Sequence, residues 1–308
     1  MKLSHSHVSM HTLPKRESLI KLDLHNSQFL FTYRMELIMK KVIGLVAAIG
    51  LIASPLTFAN TTITVSGSTS VTNVMEVLAE TYSKETGIDV EVQGTGSSAG
   101  VRAAKDGTSM IGMASRDVAP KEITEDTEVI VIARDGIAVT VNNSNTIKSL
   151  TKEQIATIYR GEAKNWKEVG GEDKPIVVVT RDTASGTRGA FEDILKLTRK
   201  INGIKVSTIT PTAQVGNGNG MVKTIVANND FAVGYISLGS VDGSLRAVAV
   251  EGVAATDANI VAGQYKIARP FVLLVKKDVA QEARDFIAYI LSDAGQDIVT
   301  AQGYIRVQ

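Results

Sequence analysis

Four short stretches of this chain set hydroxyl residues, in three of them together with glycine, directly after an apolar run. They are "SGSTSV" (66–71), "GTGSSAGV" (94–101), "ASRD" (114–117) and "RDTASGTR" (181–188). Hydroxyls and free backbone N–H groups can surround a tetrahedral oxyanion from several sides, and glycine lets the backbone come close without a Cβ in the way. Arginine, present in the last two stretches, adds a forked, charge-assisted contact. The same residue types could also do covalent chemistry, with Ser70 or Ser185 as nucleophile, if a base stood beside them. Singly, each stretch is weak. A Ser or Thr ahead of a helix is commonly only an N-cap, and "GTGSS" matches neither a G-x-G-x-x-G fingerprint nor a P-loop. Asp117 and Asp182 fit ordinary surface charges, and Arg116 and Arg188 fit solvated or paired ones. Four such turns in one chain point to a built site.

Composition narrows the chemistry. Met39 opens "MKKVIGLVAAIGLIASPLTFANTT", which has two lysines, an apolar run, Pro55 and then Thr57-Phe58-Ala59. That is the layout of a secretory signal peptide over 39–59 with cleavage after Ala59, and the run is short for a membrane span. Residues 1–38 carry all four histidines and no fold-like pattern. Translation beginning at Met39 accounts for them, and an N-terminal extension is the alternative. Removing residues 1–59 leaves 308 − 59 = 249 residues, with 33 − 7 = 26 Lys+Arg and 32 − 3 = 29 Asp+Glu, a net charge of −3. Such a chain is a poor fit to nucleic acid or anionic membranes, so an anion would have to be recognised locally. Without Cys, and without His after residue 59, it has no thiol nucleophile, no His base and no His metal ligand. A hydrolase would need Lys, Asp or Glu as its base.

Strand and helix periodicities must place the four turns. "ITV" and "GIDVEVQG" alternate as strands, with Val74, Val77, Leu78 and Tyr82 at helical spacing between them. "SMIGMAS" reads as a further buried strand. "EVIVIARDGIAVTVNN" is long enough for two strands or for one crossing between lobes. Thr151, with Glu153 and Gln154 after it, signals an N-cap. "PIVVV" (175–179) predicts a strand running into "TRDTASGTRGAF", with a helix over 188–200. "QVGNGNGMVKTIVANNDFAVGYISLG" gives turn, helix and strand; "RPFVLLVKK" gives another strand before C-terminal helices. Strands alternating with helices predict a largely parallel, doubly wound α/β sheet, with ligand at the strands' C-terminal ends.

In their order along the chain, "ITVSGSTSV", "VQGTGSSAGV", "GMASRD", "LTKEQIATIYRGEAKNWKEVGG", "TRDTASGTRGAF" and "FAVGYISLG" resemble the phosphate-binding proteins of bacterial phosphate-specific ABC transporters. The resemblance spans nearly all of residues 60–308. It implies a two-lobed type-II periplasmic-binding-protein fold, each lobe a doubly wound sheet flanked by helices, with ligand in the interlobe cleft. The lobes would be 60–139 with 238–308, and 140–237. It implies a periplasmic, non-enzymatic monomer that needs no cofactor or metal and delivers inorganic phosphate to an inner-membrane ABC permease. Carried over by position, phosphate falls to Thr69 and Ser70, to Ser97 with Ser98 and Gly100 beside it, and to Arg181, Ser185, Gly186 and Thr187. The third loop departs from the family's "GASD" turn. Either Asp117 supplies the carboxylate or Arg116 stands in its place. The distinction has a physical consequence. Phosphate keeps a proton near neutral pH and can donate it to a buried carboxylate, whereas sulfate would face that charge at a cost of several kcal/mol. Sulfate, molybdate and an organic phosphate are the alternative ligands. Arg188 is left either to ligand or to an ion pair.

Overall fold

A computed structural model of the chain describes residues 62–307, together with Arg34 and Met39. The expected signal peptide and the segment before it otherwise lie outside the described residues. β1 (Ile63–Gly67), α1 (Thr69–Thr86), β2 (Val90–Gly94), α2 (Ser97–Asp106) and β3 (Ile111–Ala114) form a βαβαβ unit in which β1 pairs parallel with both β2 and β3. β4 follows as one strand of 15 residues, Thr127–Val141. Next come β5 (Ser149–Leu150), α3 (Lys152–Arg160), β6 (Val177–Arg181) and α4 (Gly186–Ile194). β7 (Thr198–Ile201), β8 (Ile204–Ser207), β9 (Gln214–Gly216), α5 (Gly218–Ala227) and β10 (Ala232–Ser237) continue the chain. β11 (Arg246–Ala247), β12 (Ala249–Val250), α6 (Asp257–Val261), β13 (Ala268–Lys276), α7 (Gln281–Leu291) and α8 (Asp293–Ala301) complete it.

The main sheet runs β2-β1-β3-β13-β4-β10-β6-β9, with β11 also on β4. Its two ends are parallel; β13 and β4 are antiparallel insertions in the middle. β4 therefore makes one crossing. Residues 127–136 pair with β13, while Ile137–Val141 pair with β10. Its side chains enter two separate cores. Ile132 and Ala133 pack with Val65, Val74, Leu78, Phe271 and Phe286, whereas Ile137, Val139 and Val141 pack with Ile155, Tyr159, Phe191 and Tyr235. Each fully buried side chain of this kind contributes about 1.5–3 kcal/mol. A smaller apolar layer on the opposite sheet face seats α2 in the first lobe and α5 in the second. Helices thus flank both faces of each half. Val248, Val250, Ile260, Tyr265 and Ile267 pack into the second core.

Two local expectations meet different outcomes. Thr151 caps α3 as read, accepting from the Gln154 N–H at 3.1 Å while the Gln154 side chain returns to the Thr151 N–H. The helix expected over 188–200 instead ends at Ile194, and residues 198–201 are a strand paired with 204–207. Lys196 has φ 54°, and Asn202-Gly203 has φ 50° and 81°. Asn-Gly with both residues at positive φ is the tight hairpin turn that suits strand twist. That turn overrides the helical spacing of the apolar residues before it.

Candidate anion-binding site

The strand-to-helix turns fold so that the first turns of α1, α2, α4 and α5 supply side chains to one buried cluster. Each helix start carries N–H groups without an intrahelical acceptor and a partial positive charge. Ser68 caps α1 and Ser185 caps α4, accepting from the Ser70 and Arg188 N–H groups at 3.2 Å each. Caps of this type are worth about 1 kcal/mol, and they fix the two turns that face one another.

Across the gap between the lobes, Ser70 Oγ and Thr187 Oγ1 share a hydrogen bond of 3.0 Å. Ser98 N–H donates to the Ala184 carbonyl at 3.1 Å. Ser97 Oγ accepts from the Ser115 N–H at 3.1 Å, and Ser115 Oγ accepts from Ser68 Oγ at 2.8 Å. Gly186 packs against the Ser97 and Ser115 hydroxyls so closely that a Cβ would run into both. Glycine is required there by approach, not by conformation.

Arg181 is the centre of the cluster. It ends β6 with 1% of its surface exposed. Nη1 donates to Asn219 Oδ1 and Nη2 to Thr69 Oγ1, both at 2.9 Å. Its Nε finds no acceptor among the described residues. Burial pushes this guanidinium down to about 10. An anion would offset that cost. The aromatic rings of Tyr159, Phe191 and Tyr235 set its place: Phe191 stacks on Tyr235 at 3.9 Å between centroids, and the Tyr235 hydroxyl accepts from the Arg181 backbone N–H at 3.3 Å.

The structure thus gathers Thr69, Ser70, Ser97, Arg181, Gly186 and Thr187, with Ser185 as a cap and Ser98 at the edge. Asp117 is not among them. It is exposed and lines a groove with Val129, Val131, Arg134 and Pro270, which Arg269 also borders. Arg116 points to Glu122, donating to Oε1 at 2.7 Å and Oε2 at 2.8 Å, and reaches Ser98 Oγ only at 3.4 Å. Arg188 pairs along its own helix with Glu192 at 2.8 Å and donates to the Arg181 carbonyl. Ser70 Oγ touches Thr187, Asn219 and Arg269, none of them a base, and the Ser185 hydroxyl accepts from the Arg188 N–H. The cluster is therefore equipped to hold an oxyanion and lacks what a serine nucleophile needs. Among the described residues, no group of three or more His, Cys, Asp or Glu could hold a metal ion.

Residues 53–294 match the model of the PBP superfamily domain. Phosphate-binding protein PstS of Bacillus subtilis (strain 168) is 30% identical over 258 residues, covering 81% of this chain and 82% of that protein. The chain belongs to the PstS family of phosphate-binding proteins. Among solved structures it is 42% identical, with a TM-score of 0.76, to a phosphate ABC transporter substrate-binding protein with bound phosphate from Clostridium perfringens. That match covers 80% of this chain and all of that one. An ABC-type phosphate transport receptor from Vibrio cholerae is 43% identical with a TM-score of 0.68, covering 79% of this chain and 99% of the other.

Against this PstS-family background, four buried polar residues of the cluster escape a reading by motif. Ser115 lies within "GMASRD", where the two charges after it are the more conspicuous candidates. Asn219 sits inside "GNGNG", which reads as a plain turn, yet its side chain is buried and bonds Arg181, Ser70 and Ser240. Asp135 and Arg269 lie 134 residues apart and share no motif. Only the pairing of β4 with β13 could have joined them. A groove of about 430 Å³ opens at Thr69 and Asn219 and is lined further out by Lys223, Ser240 and Asp242.

Proposed function

We propose that this chain is a periplasmic solute-binding protein that captures inorganic phosphate between its two lobes and delivers it to an ABC-transporter permease. The single observation that carries the ligand side is the buried Arg181 guanidinium with an unclaimed N–H, facing hydroxyls and helix N-termini from both lobes. In this reading Thr69, Ser70, Ser97 and Thr187 donate hydroxyls or first-turn N–H groups, Gly186 admits close approach, and Arg181 clamps the oxygens. Ser98 and Ser185 shape the turns. In this reading the lobes are 60–139 with 238–308, and 140–237, and Val248, Val250, Ile260, Tyr265 and Ile267 reach across that division into the core of Tyr159 and Tyr235. Bending where β4 leaves one core for the other would open and close the cleft.

Titration calorimetry with phosphate and then sulfate, at about pH 5 and pH 8, tests this reading. Tight phosphate binding without sulfate heat supports it. Equal sulfate binding makes the site a general oxyanion receptor, and no heat with either anion removes the phosphate assignment.

A further inference from the structure

Arg269 is the second guanidinium in the cluster, and no motif pointed to it. It lies on β13 directly opposite Asp135 on β4 in the antiparallel register. Both side chains are buried, at 1% and 0% exposure. Arg269 donates through Nε and Nη2 to a single Asp135 oxygen, Oδ2, at 3.2 and 2.8 Å. That leaves the rest of the fork pointing into the cluster. Nη1 donates to Ser115 Oγ at 3.2 Å and Nη2 to Ser70 Oγ at 3.1 Å. Burial pushes the Asp135 carboxyl up, opposed by Arg269, the Ser237 hydroxyl and the Gly239 N–H. Its Oδ2 is held by Arg269, while Oδ1 finds no hydrogen-bond partner among the described residues.

A buried ion pair is a weak stabiliser, since desolvation can exceed the attraction. An apolar pair at this register position would serve the fold equally well. What an apolar pair could not supply is a cation at the floor of the cluster. With Arg181 and Arg269 against one Asp135, the cluster holds an excess of one positive charge among these three buried groups. We infer that Arg269 is a ligand-binding residue of the phosphate site, giving the anion a second guanidinium from the lobe opposite Arg181, with Asp135 fixing its orientation. The inference rests on the phosphate reading above. It commits the site to oxyanions of at least two acceptor oxygens, one for each guanidinium.

The test is calorimetry on the protein and on the double variant Arg269→Gln with Asp135→Asn, which removes one charge of each sign and spares the fold an unpaired ion. Phosphate affinity is expected to fall about 30-fold or more, the usual loss for a desolvated, charge-assisted contact, with circular dichroism unchanged. A folded double variant that binds within about threefold of the parent overturns the assignment of Arg269 while leaving the phosphate reading intact. A parent that gives no phosphate heat overturns both. If the double variant does not fold, Arg269→Lys decides. It keeps the charge but loses the fork, so about a tenfold loss is expected, and parental affinity counts against the proposal.

Discussion

Arg116 and Arg181 each stand at or just past the end of an apolar strand, one from each lobe, and each stands beside an aspartate. Their fates differ. Arg181 is buried with one N–H unclaimed, whereas Arg116 is spread over both oxygens of Glu122. A guanidinium whose two terminal nitrogens both hold a carboxylate, one on each oxygen, has little left to offer an anion. The neighbouring aspartates teach the same lesson. Asp182 spends a carboxylate oxygen on the Ala184 N–H, shaping the turn, and Asp117 faces solvent. Proximity in sequence to a serine says little about which way a charge points.

This contrast can be broken or sharpened by substitution. Arg181→Gln should have the largest effect, lowering phosphate affinity by about 100-fold or more in calorimetry, because hydroxyls alone cannot replace a desolvated cation. Gly186→Ala should cost roughly 10- to 100-fold, since the added Cβ collides with Ser97 and Ser115. Small-angle scattering should then show no compaction on adding phosphate.

Glu122→Gln should leave phosphate affinity within about twofold and lower the melting temperature by about 2 °C at pH 7. Arg116 holds the Glu122 carboxyl below the usual carboxylate range. A depressed carboxyl stabilises the fold above its unfolded pKa of about 4.3 and loses that contribution as pH falls through the folded value. The gap between parent and variant should therefore close in acid, which thermal melts at pH 3 to 7 would reveal. Asp117→Asn should have the smallest effect of all. A change in the phosphate-to-sulfate preference on that substitution would mean that the exposed carboxylate swings into the cleft.

Legibility in the sequence followed the range of the interaction. The turns at 66–71, 94–101 and 181–188 were readable because each is a local device: a strand, a glycine or capping hydroxyl, and a helix start within eight residues. The alternating α/β order was readable for the same reason. The helix expected over 188–200 failed because the Asn202-Gly203 turn imposes a hairpin on residues that also keep helical spacing. Asp135 and Arg269 were unreadable because they meet through strand register, which single-sequence periodicity does not determine. Asn219 was hidden by its setting, since an Asn among glycines looks like a turn whether or not its side chain is buried.

β4 carries one further consequence. Its residues belong to both cores, with Ile132 and Ala133 in one and Ile137, Val139 and Val141 in the other. Neither lobe can melt without pulling apart a strand that the other needs. The two lobes should therefore lose their structure in a single cooperative transition, with calorimetric and van't Hoff enthalpies in agreement. The strand proposed to bend between the lobes is thus the one that forbids their stepwise unfolding.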